Sequence, residues 1–305
     1  MLVKNNNFNH LKVHTQYSIC EGAIKIDELA DYCKSKKIKS LGIADSYNLC
    51  GALEFSEKIS KAGTQPIIGT QINLNISDIT GKVSLYATSE KGYKNLTKLS
   101  SLSYLEKNSI EYPACKLNDI ISNNEDLILL TGNYNNFFGK LFYKNKLKDF
   151  NQIISSLKKN FQNRLYIEIQ RHNEFQEKNF ENYLLKVSKS LKLPLIATQE
   201  VFYLNEDMYE AHDALICIGE KNFVDDKNRF KYNNQHYMKS QEELEKLYSD
   251  IPEALENNYN FHLRFNFKPK KSKPILPSIG GGKNTSPENE LLRLAKIGLD
   301  VVTAP

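Results

Sequence analysis

The sequence predicts an α/β protein: a distorted (β/α)7-type barrel, followed by a linker and the beginning of a second unit. Three observations predict it. Short apolar runs of strand type alternate with amphipathic stretches of helical period, the pattern of parallel strands joined by crossover helices. About seven such strands suit a barrel more than an open sheet, although periodicity alone leaves that choice open. The chain has 305 residues, 40% hydrophobic and 10% aromatic, enough to bury a core.

The elements follow in order. Asn9 to His14 alternates and reads as a short strand. Ile26 to Lys37 places Ile26, Leu29, Ala30 and Cys33 at helical spacing. Lys39 to Ala44 is an apolar strand, and Cys50 to Ala62 a helix that Gly63 ends where a left-handed cap is wanted. Gln65 to Leu74 and Lys82 to Ala87 read as strands, Lys91 to Tyr104 as helix, and Asp126 to Thr131 as strand. Helical stretches at Phe137 to Phe142 and Leu147 to Phe161 precede strand Arg164 to Gln170. Helix Phe175 to Leu191 leads to strand Pro194 to Thr198, and helices Asp207 to Ile218 and Gln241 to Tyr248 close the block. The alternation predicts parallel pairing and crossover helices.

A boundary falls late. Lys268 to Ile279 carries three prolines and four lysines and runs into GGGKNTSP, a linker by composition. Ser286 then suits an N-cap, with Pro287 at N1, for an amphipathic helix to Leu299. The expected organisation is a domain over 1–267, a linker over 268–285 and the incomplete start of a further region over 286–305. Gly280 to Gly282 with Lys283 lacks the spacing and the preceding strand of a phosphate loop, and reads as linker.

Composition narrows the function classes. The 41 Lys+Arg against 36 Asp+Glu leave a formal charge of +5, and only five of the basic residues are Arg. Bidentate recognition of phosphates or bases favours Arg, so the lysines read as background. Cys20, Cys33, Cys50, Cys115 and Cys217 are odd in number and form no C-x-x-C pair, which argues against a disulfide framework and a structural zinc site. No run approaches the length of a membrane span, and the first residues lack the apolar segment of a secretory signal, so a cytoplasmic protein is expected.

The segment HLKVHTQYSICEG, His10 to Gly22, is where chemistry concentrates. Alternation puts His10, Lys12 and His14 on one face of a strand. Such a strand could deliver them to the C-terminal rim of a barrel, where active sites sit, while two histidines in a strand also commonly pack and hydrogen-bond. Elsewhere His172 follows YIEIQ and suits a packed or solvated role. His212 lies within a helix and suits a core hydrogen bond, and His236 and His262 show no constellation.

This segment resembles the opening motif of the PHP (polymerase and histidinol phosphatase) domain family, in the version at the N-terminus of bacterial DNA polymerase III alpha subunits. Further stretches are similar in the same order: LGIADSYNLCGALEFSEKISKAGTQPIIG, GYKNLTKLSSLSY, DLILLTG, YIEIQRH, LPLIATQEVFY, EAHDALICIGEKNFVDD and YMKSQEELEKLYSDIPEALENN. The collinear likeness runs from about residue 8 to about residue 260, far more specific than any one motif. SPENELLRLAKIGL is similar to the start of the polymerase region that follows the domain in that family.

Metal-binding members of the family hold divalent ions on the barrel rim. Carried over residue by residue, the paired histidines of the first motif fall on Lys12 and His14, and its acidic ligand on Glu21. The next histidine falls on Ser46, beside the retained Asp45. A glutamate falls on Gln71, a histidine on or close to Lys82, and a Cys or His on Asn133. A late Asp and His fall on Glu200 and Phe202. Only His14 is kept as it stands, while Glu21 and Glu200 keep a carboxylate. The resemblance therefore implies a degenerate metal site with no metal expected; His14, Glu21 and Glu200 are the residual candidate ligands. Lys12 and Lys82 would repel a dication and pair with Glu21 and Glu200, or these side chains simply face solvent at the rim. It further implies a scaffold that docks the proofreading exonuclease subunit within the polymerase III core. Magnesium, DNA contact and DNA-directed DNA polymerase activity would reside in the downstream region, with no catalytic residue in this chain. The alternative is an independent PHP metallophosphoesterase, a histidinol-phosphate phosphatase or 3'-5' exonuclease.

Overall fold

The computed structural model describes residues 7–76, 78–105, 113–274 and 286–303. The predicted glycine run at 280–282, with Lys283, lies outside them. The chain separates into two compact units, Met1–Lys270 and Lys271–Pro305.

The first unit begins with β1 (Lys12–Val13), α1 (Ile26–Lys36), β2 (Ser40–Ser46), α2 (Ala52–Lys61), β3 (Gln65–Ile76), β4 (Ile79–Ala87) and α3 (Glu90–Leu105). It continues with β5 (Ala114–Cys115), α4 (Leu117–Ser122), β6 (Leu127–Leu130), α5 (Phe137–Tyr143), α6 (Leu147–Phe161) and β7 (Leu165–Ile169). Then come α7 (Glu177–Leu191), β8 (Leu195–Ala197), β9 (Glu200–Val201), α8 (Tyr209–Glu220), α9 (Gln241–Leu247) and α10 (Pro252–Phe261). The sheet path is β8-β7-β6-β4-β3-β2-β1-β9, with β5 added on β3. Its two ends are neighbours in sequence. Leu195 to Ala197 pairs with β7, and after Thr198 and Gln199 the chain pairs Glu200 with Lys12 of β1. One bent segment thus serves both ends and curls the sheet round on itself in a barrel-like form.

Two pairings depart from the parallel arrangement that the alternation of elements predicts. β3 runs antiparallel to β4, and β4 antiparallel to β6. Both strands are longer than their apolar runs and meet with Ile76 opposite Ile79, so no residues remain for a crossover helix and only a hairpin fits. The sequence reading also omits β5, α4, β9 and α10. The helices it names form with shifts of a few residues at their ends, and Gly63, at φ +86°, follows α2.

The lumen is layered. Its lower layer is apolar: Leu11, Ala44, Ile67, Tyr86, Ile128, Leu130, Tyr166 and Ile196 pack together and are stoppered by Phe261 and Phe265. Alternation then turns the next layer polar. Above Tyr166 come Glu168 and Gln170 on β7 and the residue beyond it, and above Tyr86 come Ser84 and Lys82, because β4 runs the other way. Gly69 makes this possible: a Cβ there would lie 2.4 Å from the Tyr86 ring. Outside the sheet, Phe137, Phe138, Phe150 and Phe161 anchor α5 and α6 in the larger apolar core. Ile26, Leu29 and Cys33 of α1 pack with Phe55 and Ile59 of α2 over the first strands.

In the second unit, α11 (Pro287–Thr303) starts at Ser286, whose Oγ accepts from the Asn289 N–H at 3.3 Å. Glu290 and Arg293 pair along it at 2.6 Å.

Candidate functional site

The upper lumen holds two carboxylate-centred networks. Glu200 is the first centre. The pairing of Lys12 with Glu200 across β1 and β9 brings the Lys12 ammonium 3.6 Å from Glu200 Oε1, and 3.5 Å from Glu168 Oε1. Lys12 is wholly buried and Nζ makes no hydrogen bond, so it acts as a charge between two carboxylates. His14 Nε2 donates to Glu200 Oε1 at 3.1 Å, Gln71 Nε2 donates to the same oxygen at 2.6 Å, and Asn133 Nδ2 reaches Oε2 at 3.3 Å. Burial alone would raise the Glu200 pKa; Lys12, and then His14, instead hold it well below the usual 4.5.

Glu168 completes this centre. It accepts from Gln170 Nε2 at 2.7 Å, from the Thr198 hydroxyl and from the Gly132 N–H at 2.8 Å. Gly132 has φ +85°, the left-handed conformation that glycine tolerates and that turns its amide toward the carboxylate. The sequence reading missed Glu168 and Gln170. The signal was there: in YIEIQ they continue the face of Tyr166 within a buried strand, and polar residues recurring on an inward face mark a lumen layer.

Glu21 is the second centre, on the loop after β1. Lys82 Nζ donates to both its carboxylate oxygens, at 2.6 and 2.9 Å, and to Ser46 Oγ at 2.9 Å, while the Ser46 hydroxyl donates back to Glu21. Burial would raise the Glu21 pKa, but Lys82 and then His14 lower it overall. Burial would lower Lys82; its attraction to Glu21 raises it instead. Asp45 joins the two centres from below. It takes Thr15 N–H at 2.6 Å, and the hydroxyls of Thr15 and Ser18 at 2.7 Å, and Ser18 Oγ lies 3.1 Å from His14 Nδ1. Burial outweighs those hydrogen bonds and raises the Asp45 pKa.

All ten positions singled out from the sequence therefore gather at this end of the barrel. Phe202 contributes a surface instead of a ligand: its ring lies 4.6 Å from His14 and 5.3 Å from His236. His10 does not join Lys12 and His14, since its Nε2 contacts the Lys239 carbonyl at 3.0 Å. His212 makes the expected core hydrogen bond, to the Glu21 carbonyl at 2.8 Å.

His236 corrects the sequence reading, which gave it no constellation. It stacks on His172 with centroids 4.1 Å apart and contacts the Glu200 carbonyl at 3.2 Å. The Glu200 N–H points at His172 Nε2 at 3.3 Å, so that nitrogen holds a lone pair and the proton sits on Nδ1, facing Glu177 at 3.2 Å. Burial pushes the His172 pKa down to about 3, and burial followed by His172 pushes His236 well down. Above these groups opens a pocket of about 330 Å³, walled by Tyr47, Lys82, Asn133, Lys140, Lys231 and Tyr232 among others.

A divalent ion needs several anionic or imidazole ligands converging on one point. Among the described residues no group of three His, Cys, Asp or Glu is so arranged. The two carboxylates most able to ligate, Glu200 and Glu21, already face the ammoniums of Lys12 and Lys82. The side chains present do not fit a divalent ion at either centre.

A curled α/β sheet with its polar residues gathered at one end of the lumen defines the class, and the chain belongs to the PHP domain family, whose model matches residues 10–172. It is similar to the DNA polymerase III subunit alpha of Caulobacter vibrioides, 35% identical over 302 residues, covering 96% of this chain and 26% of that protein. The corresponding subunit of Borreliella burgdorferi is 36% identical over 286 residues, covering 89% of this chain and 25% of that protein. The chain thus spans about a quarter of the length of these curated relatives. Among solved structures, a Bifidobacterium adolescentis protein assigned as a metal-dependent phosphoesterase aligns with TM-score 0.46 at 10% identity, over 63% of this chain and 86% of that one. No helix among the described residues is long and apolar enough to cross a membrane.

Proposed function

We propose that this chain is the N-terminal PHP portion of a bacterial DNA polymerase III alpha subunit, and that it serves as a non-catalytic scaffold that docks the proofreading exonuclease subunit. The observation that carries the reading is the buried Lys12 ammonium between Glu168 and Glu200. A tethered monovalent cation there neutralises the carboxylates that a dication would otherwise bridge, and Lys82 does the same at Glu21. The metal site is degenerate, its electrostatic role taken by lysines, and the networks hold the strand ends together. Residues 1–267 form the scaffold domain, 268–285 the linker, and 286–305 the start of the polymerase region. Magnesium-dependent nucleotide addition and DNA binding for synthesis belong to the remaining three quarters of such a subunit, in the cytoplasm.

Three measurements test this. Elemental analysis of the purified chain is expected to find no stoichiometric Mn, Zn or Fe, and phosphatase and 3'-5' exonuclease assays with added manganese no turnover. Turnover abolished by His14→Ala would overturn the scaffold reading in favour of a phosphoesterase. Size-exclusion chromatography with the exonuclease subunit of the same organism is expected to give a complex; its absence at micromolar concentrations would sink the docking role.

A further inference from the structure

The opposite end of the barrel carries a second, more open concavity of about 860 Å³, between the last turn of α6, the start of β7 and the α7–β8 connection. Its cations are Lys158 and Lys159 of α6, Lys192 after α7, and Arg264 beyond α10. Among the described residues no acidic one lines it. Arg264 is held in place: Nη1 donates to the Asn163 carbonyl and the Tyr166 hydroxyl, both at 2.7 Å, and the guanidinium lies 5.7 Å from the Tyr166 ring centre. Lys159 and Lys192 are exposed and Lys158 half-buried. Among the described residues none of the three forms an ion pair, whereas Lys58, Lys82 and Lys146 elsewhere on the domain do. The acids nearby lie on the flanks: Glu253 lines the adjoining concavity, which shares Lys192, Leu193 and Pro194 with this groove, and Glu125 and Asp126 lie beside Arg164 on the other side.

Lysine in the last turn of a helix complements the helix dipole, which accounts for lysine at each helix end taken singly. It does not account for two helix ends and a fixed arginine converging on one acid-free groove. We propose that this groove binds the phosphodiester backbone of nucleic acid without sequence preference. Lysine charges spread along an open groove match a repeating polyanion. A peptide partner would need anchoring pockets or a strand edge, and the aliphatic lining is limited to Leu193 and Pro194. The inference rests on the charge of this groove and does not depend on the scaffold reading of the Glu200 site.

The test is fluorescence anisotropy of the full 305-residue chain with a labelled random-sequence duplex of about 30 base pairs, from about 50 to about 200 mM salt. Wild type is expected to bind with an affinity that falls steeply with salt. Lys158→Gln/Lys159→Gln/Lys192→Gln is expected to lose about tenfold in affinity and to cut the log–log salt slope by about 2–3. The double variant Lys159→Gln/Lys192→Gln, confined to exposed positions, should show about two thirds of that change in slope. The control Lys98→Gln/Lys148→Gln/Lys178→Gln removes the same charge from α3 and the first turns of α6 and α7, and should bind as wild type. Equal losses in control and test variants would overturn the proposal, as would absence of binding at low salt. So would a poly-glutamate peptide that binds as tightly as the duplex and is lost in the same variants, which would assign the groove to an acidic protein.

Discussion

The ammonium of Lys12 lies 3.6 Å from the carboxylate of Glu200, with the lysine side chain wholly out of contact with solvent. A buried pair of this kind contributes little net stability against an apolar pair, yet removing one member leaves an uncompensated charge. Lys12→Met strands Glu168 and Glu200 together in the lumen. It is expected to destabilise the fold by about 3–5 kcal/mol, read by urea denaturation. Adding Glu200→Gln should restore part of the loss. Strict additivity of the two substitutions would show that the residues are not coupled.

The Lys82–Glu21 pair predicts a pH dependence with a defined sign. Glu21 has its pKa lowered from the usual 4.5, so its contribution is complete above 4.5 and is lost as pH falls through the lower folded value. The stability difference between wild type and Glu21→Gln should therefore be largest at neutral pH and shrink below about 4.5. A difference that grows on acidification would contradict the pairing.

His172 gives a second window. Its folded pKa, near 3, lies below the ordinary 6.5, so the unfolded chain takes up a proton first as pH falls. Stability from this group is present above 6.5 and declines from there toward 3. Imidazole nitrogen shifts measured by NMR at pH 5 should report a neutral ring protonated at Nδ1. His172→Gln should flatten the acid limb of the stability curve; an unchanged limb would assign it to other groups.

Gly69 tests the layered lumen. In Gly69→Ala the new Cβ would lie 2.4 Å from the Tyr86 ring, so one of the two must shift. The expected cost is about 1–3 kcal/mol, with partial rescue by Tyr86→Leu, which returns the volume. Thermal denaturation of the single and double variants checks this, and a neutral Gly69→Ala would show that the ring is free to move.

Much of the candidate site was legible because its residues lie on short segments with local signatures. The alternation in HLKVH put Lys12 and His14 together, and collinear motifs marked Glu21, Asp45, Lys82 and Glu200. Glu168 and His236 were not singled out. Glu168 shares a face with Tyr166 and Gln170 in the sequence, but only strand pairing makes that face a lumen wall. His236 sits in a polar loop whose path over His172 depends on contacts far away in sequence.

The sequence by itself determined most of the order of strands and helices and the residue types at the site, since these depend on local period and composition. Only the tertiary structure decided that β3 and β4 form a hairpin, that Lys12 also faces Glu168, and which of the two lysines meets Glu200 and which Glu21. The reason is physical. A strand's pattern fixes which side chains share a face, but the partner across that face is set by register and by how the sheet closes, and those follow from packing the whole chain at once.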